Sequence, residues 1–183
     1  SLMINYISIL KNITVASTED GETGKFTNIS GLNLIARLKS IPYGYAANSY
    51  FLRTSCNGLC LPHADQNINR TSQLVIINCI TSIDRGVEVL GAPNPYSVSN
   101  ILRKEKVGHI IYGTSAHYVG DVGSSYRIAL ITKNPYTEQQ LQSIVEYIVS
   151  LINSKLNGVL LAQSKENYIF LQPWYLPLRT TDS

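Results

Sequence analysis

The chain has 183 residues, 44% of them apolar, with a mean hydropathy near zero and a net charge of +3. That length holds one domain with an elaboration and can bury enough surface to fold without staples. The charge is too small and too scattered to argue for a nucleic-acid partner, and no apolar run reaches the ~18 residues of a membrane helix. A mildly positive surface favours a small, highly charged anion.

Ser1-Leu2 ahead of Met3 reads as a remnant of cloning, and the stretch after it lacks the basic start of a signal peptide. Residues 17–25 are polar and carry glycine, which marks a loop. A helix follows, with Asn28 or Ser30 as its cap and Leu32, Ile35 and Leu38 on one face. It stops before Pro42. Tyr50 to Ser55 reads as a buried strand, and a Cys56-Asn57-Gly58 turn leads into a second strand over Leu59–His63. Leu74–Ile80 is a third strand with both faces covered.

Residues 82–126 fit this plan poorly. They hold a short strand (VEVL), a helix over Ser97–Lys106 and a segment rich in Gly, Ser and Tyr. A connection of that length commonly has a function of its own. Beyond it, the apolar row Leu141, Ile144, Val145, Ile148, Leu151 and Ile152 predicts a helix from Thr137 to about Asn153, with Thr137 and Gln140 as a capping box. Asn157-Gly158 turns the chain into a strand over Val159–Ala162. The aromatic tail is too apolar to hang free and is expected to pack.

Cys56, Cys60 and Cys79 make an odd count, read as reduced thiols. Cys56, Cys60 and His63 are one ligand short of a structural zinc site, so no metal and no cofactor is expected. Arg53 is the residue that demands an explanation. It sits in an apolar run, and a buried charge needs a partner or a solvated pocket. Thr54 and Ser55 supply hydroxyls, and the Cys56-Asn57-Gly58 turn supplies amides that can form an anion-binding nest. A guanidinium fork with hydroxyls and amides suits a phosphate dianion. The plainer alternative is a strand arginine whose stem packs while its head reaches water.

Asn48-Ser49-Tyr50-Phe51-Leu52-Arg53-Thr54-Ser55 resembles the Phe-Leu-Val-Arg-x-Ser hallmark of the phosphotyrosine-binding Src homology 2 domain. Gly58-Leu59-Cys60-Leu61 is similar to the next strand of that family. Ile29-Ser30 resembles the start of its first helix, Asn134-Pro135-Tyr136 with the Leu141–Ile152 row its second helix, and Asn157-Gly158-Val159-Leu160 the strand after it. The departures are Gly31 where the family has arginine, Phe26 as the nearest aromatic to its missing tryptophan, and a third strand without His-x-Lys.

The resemblance implies an α+β fold, with a central antiparallel sheet flanked by two helices and an extra helix-containing insertion. One domain would have its core at about 26–81 and 127–162, an insertion at about 82–126 and a packed extension over 163–183. Arg53 would grip the phosphate, Ser55, Cys56, Asn57 and Gly58 would wrap it, and Thr54 and Cys60 would line the site. His63 or Arg70 would stand in for the second cation. The insertion resembles the enlarged loop of phosphotyrosine-binding domains in Legionella effector proteins. That implies a lid with little selectivity for flanking sequence, and a soluble monomer secreted into the host cytoplasm that binds tyrosine-phosphorylated proteins without catalysis. Two other readings stay open: a hydrolase using Cys56 or Cys60 with a histidine, and a structural adaptor of a secretion apparatus.

Overall fold

The computed structural model describes residues 10, 13–18, 26–39, 49–57, 67–80, 82–84, 87–90, 92–113, 125–162 and 164–177; at 82–84, 87–90 and 125 only the backbone path is considered. In chain order the elements are β1 (Thr14–Thr18), β2 (Thr27–Ser30), α1 (Gly31–Lys39), β3 (Tyr50–Phe51), β4 (Thr71–Ile80), β5 (Ser82–Asp84), β6 (Val87–Leu90), α2 (Pro95–Lys104), β7 (His109–Gly113), β8 (Ser125–Thr137), α3 (Leu141–Lys155) and β9 (Trp174–Tyr175). Antiparallel sheets with three α-helices among the described residues make this an α+β fold. Among the described residues, no helix is long and apolar enough to cross a membrane.

The chain divides into two compact units. Unit 1 takes the described residues up to Leu74, then Thr132–Glu138 and Phe170 onward; unit 2 takes Val75–Ile131 and Gln139–Ile169. The described residues of 82–126 therefore fall in the same unit as the late helix.

Unit 1 is built on a sheet of order β2-β1-β3-β9. The register places Val15 opposite Ile29, Ser17 opposite Phe51, and Phe51 opposite Trp174, all antiparallel. Pairing continues past β3, because Leu52 N–H donates to Ala16 O and Ala16 N–H donates to Thr54 O, each at 2.8 Å. The strand then bridges to Ile68 at Cys56. Ala16, Phe26, Leu52, Cys56 and Ile68 pack as one apolar cluster. The expected partner strand over Leu59–His63 lies outside the described residues; the described partner of Cys56 is Ile68.

Ser30 caps α1 as expected, its Oγ accepting from Asn33 N–H at 3.1 Å. The buried face is Gly31, Leu34, Ile35 and Leu38, which keeps Ile35 and Leu38 of the predicted row, while Leu32 is only half-buried. Gly31 opens α1 under tight constraint: a Cβ there would meet Leu10 O at 2.7 Å. The tail packs as expected, with Phe170, Trp174 and Leu176 buried and Leu176 N–H donating to Ser49 O at 2.9 Å.

In unit 2, Val75, Ile76 and Ile77 of β4 are buried without interruption, as a strand covered on both faces requires. The sheet order is β4-β8-β7, and β5 pairs with β6 as a separate hairpin. The predicted VEVL strand is β6. The predicted helix over Ser97–Lys106 is α2, which starts two residues earlier because Pro95 occupies its first turn and the Asn94 side chain accepts from Tyr96 N–H at 2.9 Å.

The predicted helix over Thr137–Asn153 opens later than its sequence pattern indicates. Thr137 still belongs to β8, Glu138–Gln140 make a 3-10 turn, and α3 begins at Leu141 without a side-chain cap. Its buried row is Leu141, Val145, Val149 and Ile152. Gly158 takes the positive φ of 98° that its Asn-Gly turn predicts. No strand follows over Val159–Ala162; Val159 and Leu160 are exposed.

Candidate functional site

Arg53 leaves the chain two residues beyond β3, on a segment held in place on both sides by main-chain pairing. Its side chain is 1% exposed. Nε donates to Phe170 O at 2.8 Å, and Nη1 donates to Tyr136 Oη at 3.3 Å. The guanidinium carbon lies 5.9 Å from the centre of the Phe170 ring, within cation–π range. Tyr136 and Phe170 meet edge to face at 6.5 Å. The Tyr136 hydroxyl in turn donates to Leu74 O. Arg53, Tyr136 and Leu74 thus form a chain of hydrogen bonds, the kind of pairing that burying such groups requires.

The neighbours are likewise engaged within the fold. Thr54 Oγ1 lies 3.0 Å from Asn69 O and 2.8 Å from Thr71 O. Ser72 Oγ donates to Arg53 O at 2.6 Å. Cys56 N–H donates to Asn28 Oδ1 at 2.9 Å, and Asn28 Nδ2 donates back to Cys56 O at 2.8 Å. Asn57 N–H donates to Asn67 O at 2.6 Å. The Cys56 and Asn57 amides, two of those expected to wrap an anion, are thus turned on protein acceptors. Ser55 is half-buried, with its carbonyl accepting from Asn69 N–H at 3.0 Å. Gly58, Cys60 and His63 lie outside the described residues. Arg70 is exposed and pairs with Glu138 at 3.4 Å, a bond that water and salt weaken.

Three residues that shape this site escaped the sequence reading. Asn28 presents its amide to Cys56 as a strand would present its backbone, although it reads as a helix cap. Tyr136 reads as the lead into a helix, yet it stands in β8 with its hydroxyl on Arg53. Phe170 carried only the signal of an apolar tail. Gly31, where the resembling family has arginine, is fixed by the close approach of Leu10 O.

Neither described cysteine has the surroundings of a nucleophile. Cys56 and Cys79 are buried, and burial pushes the Cys79 thiol far up. Among the described residues, no group of three or more His, Cys, Asp or Glu side chains converges as a metal cradle. Comparison with protein-family models, curated proteins and solved structures gives no match.

Proposed function

We propose that unit 1 is a phosphotyrosine-binding module that reads its ligand through Arg53 and performs no chemistry itself. The observation that carries this reading is the tyrosyl hydroxyl already held against the guanidinium at 3.3 Å, beside the Phe170 ring. A guanidinium among aromatic rings is the chemistry a phosphorylated tyrosine requires. The resemblance of Tyr50–Ser55 to the Src homology 2 hallmark points the same way, and with it the role of a bacterial effector acting on host phosphoproteins.

In this arrangement Phe170 O and Tyr136 Oη occupy the donors that a phosphate would take. Binding therefore requires an opened form in which the segment from Phe170 to Leu176 has left β3. Apparent affinity is reduced by the fraction of the chain that is closed.

The burial of Arg53 favours a second reading. Its hydrogen bonds to Tyr136 Oη and Phe170 O tie the segment after β3 to β8 and to the tail segment, which is the work of a structural clamp needing no ligand. Fluorescence polarisation with a short phosphotyrosine peptide and its unphosphorylated twin separates the two. Phosphate-dependent binding by the wild type, lost in a folded Arg53→Lys protein and tightened in Phe170→Ala, supports the module. No binding across several peptide sequences, together with unfolding of Arg53→Ala, leaves the clamp.

A further inference from the structure

We propose that Ser99 and His109 of unit 2 form a nucleophile–base pair that takes an acyl group from a carboxylic ester. The reasoning begins with how the two side chains meet. Ser99 lies in the second turn of α2. The chain leaves α2 through Lys106, whose φ of 58° is in the left-handed region that side chains other than glycine seldom adopt. Val107 N–H closes this turn on Leu102 O at 2.8 Å. His109, the first residue of β7, is thereby set beside the helix it has just left. Its Nε2 lies 2.7 Å from Ser99 Oγ, and its Nδ1 lies 2.8 Å from Val107 O.

The proton positions follow from the partners. Val107 O can only accept, so Nδ1 carries the hydrogen of the neutral imidazole. Nε2 is then a bare lone pair, and the Ser99 hydroxyl is the donor between them. This is the resting arrangement of a serine nucleophile and its base, with a backbone carbonyl in the orienting position where many such sites place a carboxylate. Both residues are half-buried. Ser72, whose hydroxyl is spent inside unit 1, shows the sealed alternative. On α2 itself, Tyr96 is 80% exposed at i−3 from Ser99 and Arg103 is exposed at i+4, neighbours on the helix surface.

A carbonyl stabilises an imidazolium less than a carboxylate does, so the pair suits esters whose leaving group needs little protonation. Aryl esters are that class, and the exposed Tyr96 ring offers a face for the aryl group. In the first step Ser99 Oγ bonds to the ester carbonyl carbon as its proton passes to His109 Nε2. The bond from carbon to the aryl oxygen breaks, and the phenol leaves with that proton. Water then attacks the acyl carbon and gives its proton to Nε2; the Oγ–carbon bond breaks as Nε2 returns that proton to Oγ, which frees Ser99 and a carboxylic acid.

The proposal concerns unit 2 alone and is independent of Arg53. The test treats the full 183-residue chain with a fluorophosphonate probe, locates the adduct by peptide mass, and follows phenol release from p-nitrophenyl acetate. The expected result is a single adduct on Ser99, absent in Ser99→Ala. Labelling should be slowed roughly 100-fold or more in His109→Ala and partly restored there by added imidazole. A plain fastening of helix to strand gives none of this. Folded wild type without an adduct, an adduct on another residue, or labelling of Ser99 at an unchanged rate in His109→Ala would each overturn the proposal.

Discussion

Among the buried polar and charged side chains of the described residues, Ser17, Thr18, Arg53, Thr54 and Ser72 lie in unit 1, and Asn167 alone lies in unit 2. The interior of unit 2 is otherwise apolar volume and buried tyrosine: Val98, Leu102, Ile128, Leu141, Val145 and Ile152 are sealed from water. Unit 1 is thus held by matched donors and acceptors as well as by packing. Unit 2 is held by shape, and the two should fail in different ways.

The largest effect expected is at Arg53. Arg53→Ala removes the hydrogen bonds to Phe170 O and Tyr136 Oη and opens a hole beside the Phe170 ring. The expected cost is about 3 kcal/mol in urea unfolding. Arg53→Met, which keeps most of the volume, should cost nearly as much, because the carbonyl still loses its donor. Unit 2 should respond the other way round. Leu102→Ala should cost about 3 kcal/mol through its cavity, while Leu102→Met should stay below about 1.5 kcal/mol. Equal tolerance of Met at both positions would erase the contrast between the units.

The sequence displayed most of the elements, and the reason is local. Alternation, apolar rows and turn residues act over a few positions, so α1, α2, β4 and β6 could be read directly, and the packed tail with them. The fate of Arg53 could not. Its need for a partner was legible, but the partners come from positions 136 and 170, distant in the chain and marked by nothing except aromatic character. The start of α3 failed for a related reason. Thr137 belongs to β8, where Tyr136 is anchored on Leu74 O, so the helix opens only after the 3-10 turn that follows. The Ser99–His109 pair was invisible because the left-handed turn at Lys106 has no sequence signature.

Asn167 is the exception that sharpens the comparison. It is fully buried, its Oδ1 accepts from Asn78 N–H at 2.8 Å, and its Nδ2 has no hydrogen-bond partner. One half of the amide stabilises β4 and the other half is a cost. Asn167→Ala leaves the Asn78 amide unsatisfied and should destabilise by about 1–2 kcal/mol. That is less than Arg53→Ala, because the orphan donor disappears with the side chain. Hydrogen exchange at Asn78 checks the assignment: protection should fall there, while the β2–β1 pairing of unit 1 keeps its own.

The smallest effect is electrostatic. The Ser164 hydroxyl holds the Glu166 carboxyl below the ordinary carboxylate range; the backbone amide of Glu166 and the Arg127 and Lys165 charges add to this, and partial burial opposes it. A folded value that is lowered contributes stability in full above the ordinary carboxylate range, and that stability is lost as pH falls through the depressed value. Glu166 is exposed, so solvent screens the contribution to about 0.3 kcal/mol. Glu166→Gln should therefore lower the urea midpoint slightly at neutral pH and leave it unchanged in acid, where the wild-type carboxyl is itself protonated. Ser164→Ala should reproduce most of the same difference, since the hydroxyl is the leading cause. A Glu166→Gln deficit that persists in acid would assign the effect to packing of the turn over 165–168, and unit 2 would then be held by shape at its surface as well as in its core.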